Sequence, residues 1–214
     1  MTSTTDFEQA AHSFLDLVAE VQPAQWSEPA LGVWDVRSLV GHTARAISTV
    51  EQYLLADPAP EVTTPDAETY YGEVFAVYTD NDAIAARGVE AGKALTENSG
   101  AEFEATLGRA LTLVAANGPD RIVAIGPIGI PLGEYLRTRV FELVVHGMDI
   151  AAATGLPHGI PSEVVANVAD PRRARRRAEG QRRGDPLRAD RAASPAAALQ
   201  HPVGRPRHRS GKSR

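Results

Sequence analysis

The sequence of 214 residues predicts an all-α fold with at most a short β element, followed by a disordered basic tail. Three observations support this prediction. Apolar residues recur every three or four positions through most of residues 1–168, the pattern of the buried face of a helix. Only residues 121–126 (RIVAIG) have the β-branched composition of a strand, and residues 127–131 are predicted to be an apolar loop that leads into the next helix. From residue 169 onward, large aliphatic residues become rare and arginine, alanine, proline and glycine dominate.

The first predicted helix begins at a capping box and ends near Val21. In the segment TDFE, the Thr5 side chain can accept a hydrogen bond from the backbone N–H of Glu8, and the Glu8 carboxylate can accept one from the backbone N–H of Thr5. Apolar residues then follow at helical spacing, which predicts a helix with one buried face: Phe7, Ala11, Phe14, Val18.

The second predicted helix begins after Asp35, a suitable N-cap residue. Trp34 precedes this cap and can pack on Leu39, one turn into the helix. His42 lies at the edge of the apolar stripe, and Gly41 beside it would permit close approach of another helix or a ligand. Because a lone helical histidine is more often structural or solvated than a ligand, this stretch alone leaves its role open.

The middle of the chain predicts three further helices, with bounds near 64–79, 83–97 and 101–116. Pro65 favours the start of the first, and the segment NGP at 117–119 stops the last. Four aromatic residues here and earlier are candidates for lining a pocket, although core packing explains them equally well: Trp34, Tyr53, Tyr70, Tyr71.

The longest predicted helix spans residues 131–155 and carries the polar residues that suggest chemistry. Most of its circumference is apolar, which predicts burial on several sides. Its polar residues Arg139, Glu142, His146 and Asp149 follow at steps of three, four and three, so they form one narrow stripe.

Two interpretations of this stripe stay open on the helix alone. It is either the solvated side of an amphipathic helix or part of a metal site. Glu142 and His146 lie one turn apart, a spacing at which a carboxylate and an imidazole can reach one cation. The sequence has no cysteine, which excludes thiolate ligands and a nucleophilic thiol in the protein itself. Any metal must therefore be held by histidine, aspartate or glutamate.

The net charge of −5 conceals two oppositely charged segments. Residues 1–169 carry 8 basic and 23 acidic side chains, whereas residues 170–214 carry 14 basic and 4 acidic ones. The basic segment has too few apolar residues to form a core, so we predict a domain over residues 1–168 and a disordered tail over residues 169–214. The tail is open to three interpretations: a frameshift product, a native disordered segment, or a basic arm for nucleic acid.

The beginning of the chain has neither the basic nor the apolar region of a signal peptide, and no window of the sequence approaches a membrane span. We therefore expect a cytoplasmic protein without a membrane partner.

Two segments of the chain resemble a known family: WDVRSLVGHT at 34–43 and RVFELVVHGMD at 139–149. They are similar to the metal-binding domain of mycothiol-dependent maleylpyruvate isomerase and its actinobacterial relatives, within the DinB-like superfamily. The resemblance covers roughly Phe7 to Val168 and is carried by the "GHT" and "E-x-x-x-H-G-x-D" motifs, about 100 residues apart.

The resemblance implies an antiparallel four-helix bundle that binds a divalent metal, usually zinc, through His42, Glu142 and His146. Two imidazoles and a carboxylate suit zinc, and three protein ligands leave one coordination position open. In the family, that position is thought to take water or the thiolate of mycothiol, which the metal would activate as a nucleophile. Asp149 could orient a ligand, and Arg139 could meet an anionic substrate.

We therefore predict a metal-dependent enzyme that activates a mycothiol-like thiol for transfer to, or isomerisation of, a small electrophile. Nothing in the chain corresponds to the separate C-terminal domain of the founding isomerase, which puts maleylpyruvate isomerisation itself in doubt. Two other hypotheses stay open: a non-catalytic helical binding protein, and a nucleic-acid-associated protein that acts through its basic tail. The nucleic-acid hypothesis is the less favoured alternative, so we do not expect a nucleic-acid partner. Whether the bundle forms a homodimer stays open.

Overall fold

The computed structural model describes residues 3–77 and 81–170 of the chain. Within these residues the α-helices are α1 (Ser3–Glu20), α2 (Val36–Leu55), α3 (Ala67–Val77), α4 (Asn81–Lys93), α5 (Ser99–Ala116), α6 (Leu132–Thr154) and α7 (Ser162–Ala169). The strands are β1 (Pro29–Leu31), β2 (Trp34–Asp35), β3 (Ile122–Ile125) and β4 (Ile128–Pro131). The predicted all-α fold with a minor β element is confirmed. The predicted tail, residues 169–214, starts at the last residue of α7, and its residues beyond 170 lie outside the described residues.

Four long helices form the framework of the fold. Helix α1 packs against α5 and α6, and α2 packs against the same two helices, so the four close a ring around one core. Helix α4 packs on α2 from outside this ring, and α3 packs on α6. Side chains from all four helices and from β4 are almost fully buried in the core, the largest being Tyr135, Phe7, Phe14, Leu39, Ile47, Leu107, Ile130, Leu132, Leu136, Leu143, Ile150 and Val36.

Helix α6 begins and ends almost where the sequence predicts. Gly155 follows its last residue with φ of +71°, and its N–H bonds the Ala151 carbonyl oxygen. A glycine in this left-handed conformation terminates a helix without steric cost. The predicted cap of α2 is also confirmed, since the Asp35 side chain accepts a hydrogen bond of 2.8 Å from the Ser38 N–H. The predicted cap at Thr5 is wrong because α1 begins at Ser3 and includes Thr5.

Two antiparallel hairpins connect the helices at the ends of the bundle. The predicted strand corresponds to β3, which pairs with β4 through a turn that includes Gly126 at φ of +57°. Residues 128–131, predicted as a loop, instead form β4, because their backbone groups pair with β3. The pair β1–β2 is short and delivers Trp34 to the start of α2.

Helices α2 and α4 approach each other closely at glycine positions. A Cβ atom built on Gly41 would lie 2.5 Å from the backbone carbon of Ala91, and one built on Gly92 would lie 2.7 Å from the Cα of Ser38. Neither position has room for a side chain. The glycine beside His42 therefore admits a neighbouring helix, one of the two alternatives that the sequence leaves open.

Candidate metal centre

One histidine from α2 meets a glutamate and a histidine from α6 inside the bundle. His42, Glu142 and His146 each offer one donor atom, and these atoms all lie within 4.8 Å of one another. Oxygen Oε2 of Glu142 lies 3.3 Å from Nε2 of His146 and 3.8 Å from Nε2 of His42. The three side chains are between 15% and 22% exposed, so the cluster is sheltered and still reachable from solvent.

The two imidazoles approach the carboxylate from different directions. Their ring centroids are 5.1 Å apart and their planes are inclined at 81°. This arrangement gives three converging donors of the types that zinc prefers, and it differs from the solvated helix face that was the alternative interpretation of the stripe.

His42 is held against the indole ring of Trp34. The two ring centroids lie 4.6 Å apart with an interplanar angle of 31°. The indole N–H donates a hydrogen bond of 2.8 Å to the Ala85 carbonyl oxygen on α4, and Trp34 is only 8% exposed. Gly88, also on α4, leaves room for the indole. A fixed aromatic surface thus restricts the orientation of His42.

His146 is oriented by Asp149, one turn further along α6. Nδ1 of His146 lies 3.2 Å from Oδ2 of Asp149, while Nε2 points toward Glu142. In metal sites, a carboxylate on one imidazole nitrogen fixes the tautomer and directs the other nitrogen to the ion. Asp149 thus contacts His146, one of the ligands that the family resemblance implies.

The hydroxyl of Tyr71, on α3, contacts Oε1 of Glu142, the oxygen other than the one nearest the imidazoles. This hydroxyl lies 3.1 Å from Oε1 of Glu142 and 3.0 Å from the Thr138 carbonyl oxygen. The sequence presents Tyr71 only as one of four aromatic candidates, because nothing in the helical pattern of α3 relates it to Glu142. Among the other three candidates, Trp34 contacts His42, while Tyr53 packs on the buried Tyr135.

In the metal-free cluster, Glu142 and His146 each shift the pKa of the other in the direction that favours its charged form. Burial alone would raise the pKa of Glu142, but hydrogen bonds from His146 and His42 and the charge of Arg139 hold it well below its ordinary value. Burial likewise opposes the charge on His146, but Glu142 and then Asp149 raise the pKa of His146. Burial, followed by the negative charge of Glu142, raises the pKa of Tyr71, which therefore stays a proton donor.

Arg139 lies one turn before Glu142 and is surrounded by tyrosines. Its guanidinium carbon is 5.1 Å from the ring centroid of Tyr135 and 5.9 Å from that of Tyr70. Its Nε donates a hydrogen bond of 3.0 Å to the Thr138 hydroxyl. Among the described residues, no carboxylate lies within ion-pair distance of Arg139. The structure thus brings His42, Glu142, His146 and Asp149 into one cluster and places Arg139 beside it, without a direct ion pair to any described residue.

A family model described as the mycothiol maleylpyruvate isomerase N-terminal domain matches residues 7–151 of the chain. Searches of curated proteins and of solved structures each found no match. In the part of the chain that the structure describes, no helix combines the length and the hydrophobicity needed to cross a membrane.

Proposed function

The chain belongs to the family of the mycothiol maleylpyruvate isomerase N-terminal domain, and we propose that it is a metal-dependent enzyme that uses a small thiol as cosubstrate. In this proposal the thiol is activated for transfer to, or isomerisation of, a small electrophile. The observation that carries the proposal is the convergence of three donor atoms, from His42, Glu142 and His146, within 4.8 Å in a sheltered cluster.

The donor set supports zinc as the metal. Two neutral imidazoles and one carboxylate form a combination found in catalytic zinc sites, which use three protein ligands and keep a fourth position open. A metal with an open position supplies a Lewis acid that lowers the pKa of a bound thiol.

The residues around the donors have separate tasks in this proposal. Asp149 accepts a hydrogen bond from the Nδ1–H of His146 and so directs Nε2 toward the metal. Trp34 holds the ring of His42 by stacking. Because the sequence has no cysteine, the reacting sulfur must come from the cosubstrate, and mycothiol is the thiol that the family name supports.

We assign Arg139 the binding of an anionic group on the electrophile. Its guanidinium is stacked near Tyr135 and Tyr70 rather than paired with a carboxylate in the described part of the chain. Guanidinium groups recognise carboxylates and phosphates through paired hydrogen bonds. Arg139 would hold the electrophile one helical turn from the metal ligands, which suits a reaction between two bound partners.

Metal content provides the first test of this function. We expect about one zinc per chain in the purified protein, and loss of zinc in His42→Ala, Glu142→Ala and His146→Ala, with circular dichroism showing that each variant is folded. His12→Ala is the matched control, because His12 is an exposed histidine on α1 and should leave the zinc content unchanged.

Two results would separate the hypotheses. A folded wild-type protein that takes up no metal, even after incubation with Zn²⁺, contradicts the proposed centre. Stoichiometric zinc without thiol-dependent turnover of any electrophile in a broad screen would instead favour a non-catalytic binding protein. Turnover should require both thiol and metal, so omission of either is the control in that screen.

A further inference from the structure

The Tyr71 hydroxyl contacts oxygen Oε1 of Glu142, while the two histidines contact oxygen Oε2. We propose that Tyr71 is a positioning residue that keeps Glu142 a ligand through Oε2 alone, so that the remaining coordination position stays available to the thiol. This inference rests on the proposed function, and neither the metal-binding motifs nor the family match assigns any role to Tyr71.

The two oxygens of Glu142 have different neighbours. Oε2 faces the imidazoles, at 3.3 Å from His146 and 3.8 Å from His42. Oε1 lies 3.1 Å from the Tyr71 hydroxyl. A carboxylate with both oxygens unengaged can swing to present both of them to a cation, whereas an oxygen that accepts a hydrogen bond is restrained from doing so.

The Tyr71 hydroxyl has a single proton and, among the described residues, two acceptors within reach. The second acceptor, the Thr138 carbonyl oxygen, lies 3.0 Å away and belongs to the backbone of α6. A hydrogen bond to an ionised carboxylate is roughly twice as strong as one to a neutral acceptor. Glu142 is therefore the dominant acceptor, and the Thr138 carbonyl keeps the hydroxyl in place.

Tyr71 is itself fixed from several directions. Its ring contacts those of Tyr70 and Phe141, with centroid distances of 5.6 and 5.3 Å. One turn earlier on α3, Glu68 forms a two-pronged ion pair with Arg137 of α6, with N–O distances of 2.5 and 3.2 Å. Because these contacts fix α3 against α6, the Tyr71 hydroxyl has a defined place beside Glu142, as a positioning residue requires.

The chemical consequence concerns the number of open positions at the metal. With one oxygen from Glu142 and one nitrogen from each histidine, a four-coordinate ion has one free position. If Glu142 bound through both oxygens, the same ion would have to reach five-coordination to admit a thiol. Tyr71 would therefore influence both the affinity for the metal and the access of the thiol to it.

The test compares Tyr71→Phe with Tyr53→Phe, which removes the same atom elsewhere. The hydroxyl of Tyr53 makes no hydrogen bond with the described residues, and its ring packs on Tyr135. Zinc affinity is measured by competition with a chelator. The cobalt-substituted proteins are then titrated with N-acetylcysteine, since Co²⁺ absorbs strongly in four-coordinate sites and develops a sulfur charge-transfer band when a thiolate binds.

We expect Tyr71→Phe to bind zinc about 10- to 100-fold more weakly than wild type, as is typical when a residue that supports a metal ligand is lost. We also expect its cobalt spectrum to be weaker and the thiol titration to shift to higher concentration, with Tyr53→Phe matching wild type in every measurement. If both variants match wild type, the role of Tyr71 is refuted while the metal centre stands. If wild type binds neither metal, the proposed function and this inference both fail.

Discussion

Substitution of Gly88 by alanine would test whether the packing of α4 against Trp34 supports the metal centre. A Cβ atom at this position would lie 2.4 Å from Cε2 and 2.5 Å from Nε1 of the Trp34 indole. Ordinary contacts between such atoms are about 3.5–4.0 Å, so the ring or the helix must move by about 1 Å. The indole ring cannot move away freely, because it is buried, donates a hydrogen bond to the Ala85 carbonyl oxygen and stacks on His42.

The expected cost of Gly88→Ala follows from three contributions. Forcing an extra carbon into a packed site costs about 1–3 kcal/mol. Weakening the hydrogen bond from Trp34 to Ala85 costs about 0.5–1.5 kcal/mol. Alanine is a better helix former than glycine by about 1 kcal/mol, which offsets part of the loss. We therefore expect the free energy of unfolding to fall by about 2 kcal/mol, which lowers the melting temperature by several degrees.

Gly108→Ala on α5 is the matched control for Gly88→Ala. A Cβ atom at Gly108 would meet nothing within 4 Å, so only the gain in helix propensity applies, and stability should rise by up to about 1 kcal/mol. Urea denaturation of the metal-free proteins compares the two variants, and chelator competition measures their zinc affinity.

Zinc affinity should fall about 10- to 100-fold in Gly88→Ala, because His42 loses the surface that orients it, and stay unchanged in Gly108→Ala. Equal stability and equal zinc affinity in the two alanine variants would refute the reasoning.

Three further predictions concern the α2–α4 contact, the protonation of the cluster and the anionic substrate. Gly41→Ala should destabilise the protein by about 2 kcal/mol or more in urea denaturation, because its Cβ would lie 2.5 Å from the backbone of Ala91, which cannot rotate away; a stable variant would contradict this contact. In the metal-free protein, NMR should show His146 titrating above its ordinary pKa of about 6.5, and Glu142→Gln should lower that midpoint. An unchanged midpoint of His146 in Glu142→Gln would contradict the pairing of these two side chains. The raised pKa of His146 stabilises the metal-free fold at pH values below the unfolded-state pKa, and this stabilisation is lost as the pH rises through the folded-state pKa. Arg139→Gln should raise KM for an anionic electrophile about 10- to 100-fold without changing zinc content, and an unchanged KM would exclude anion binding by this residue.

Local patterns in the sequence were sufficient to predict much of the helical architecture. The bounds of α6, its terminating glycine and the Asp35 cap of α2 follow from residues within a few positions of each helix end. The β4 strand was predicted as a loop because a strand that depends on pairing with a neighbour has little signature of its own.

The spacing of Glu142 and His146 on one helix determined, from the sequence alone, that these two side chains could share a cation. Their meeting with His42 is a property of the tertiary structure, since helical periodicity says nothing about how two helices cross. Side-chain packing in the ring of four helices brings α2 against α6, and glycines at positions 41, 88 and 92 let α4 approach α2 and Trp34. The contacts of Trp34 with His42 and of Tyr71 with Glu142 join residues far apart in the chain, so only the packed fold decided them.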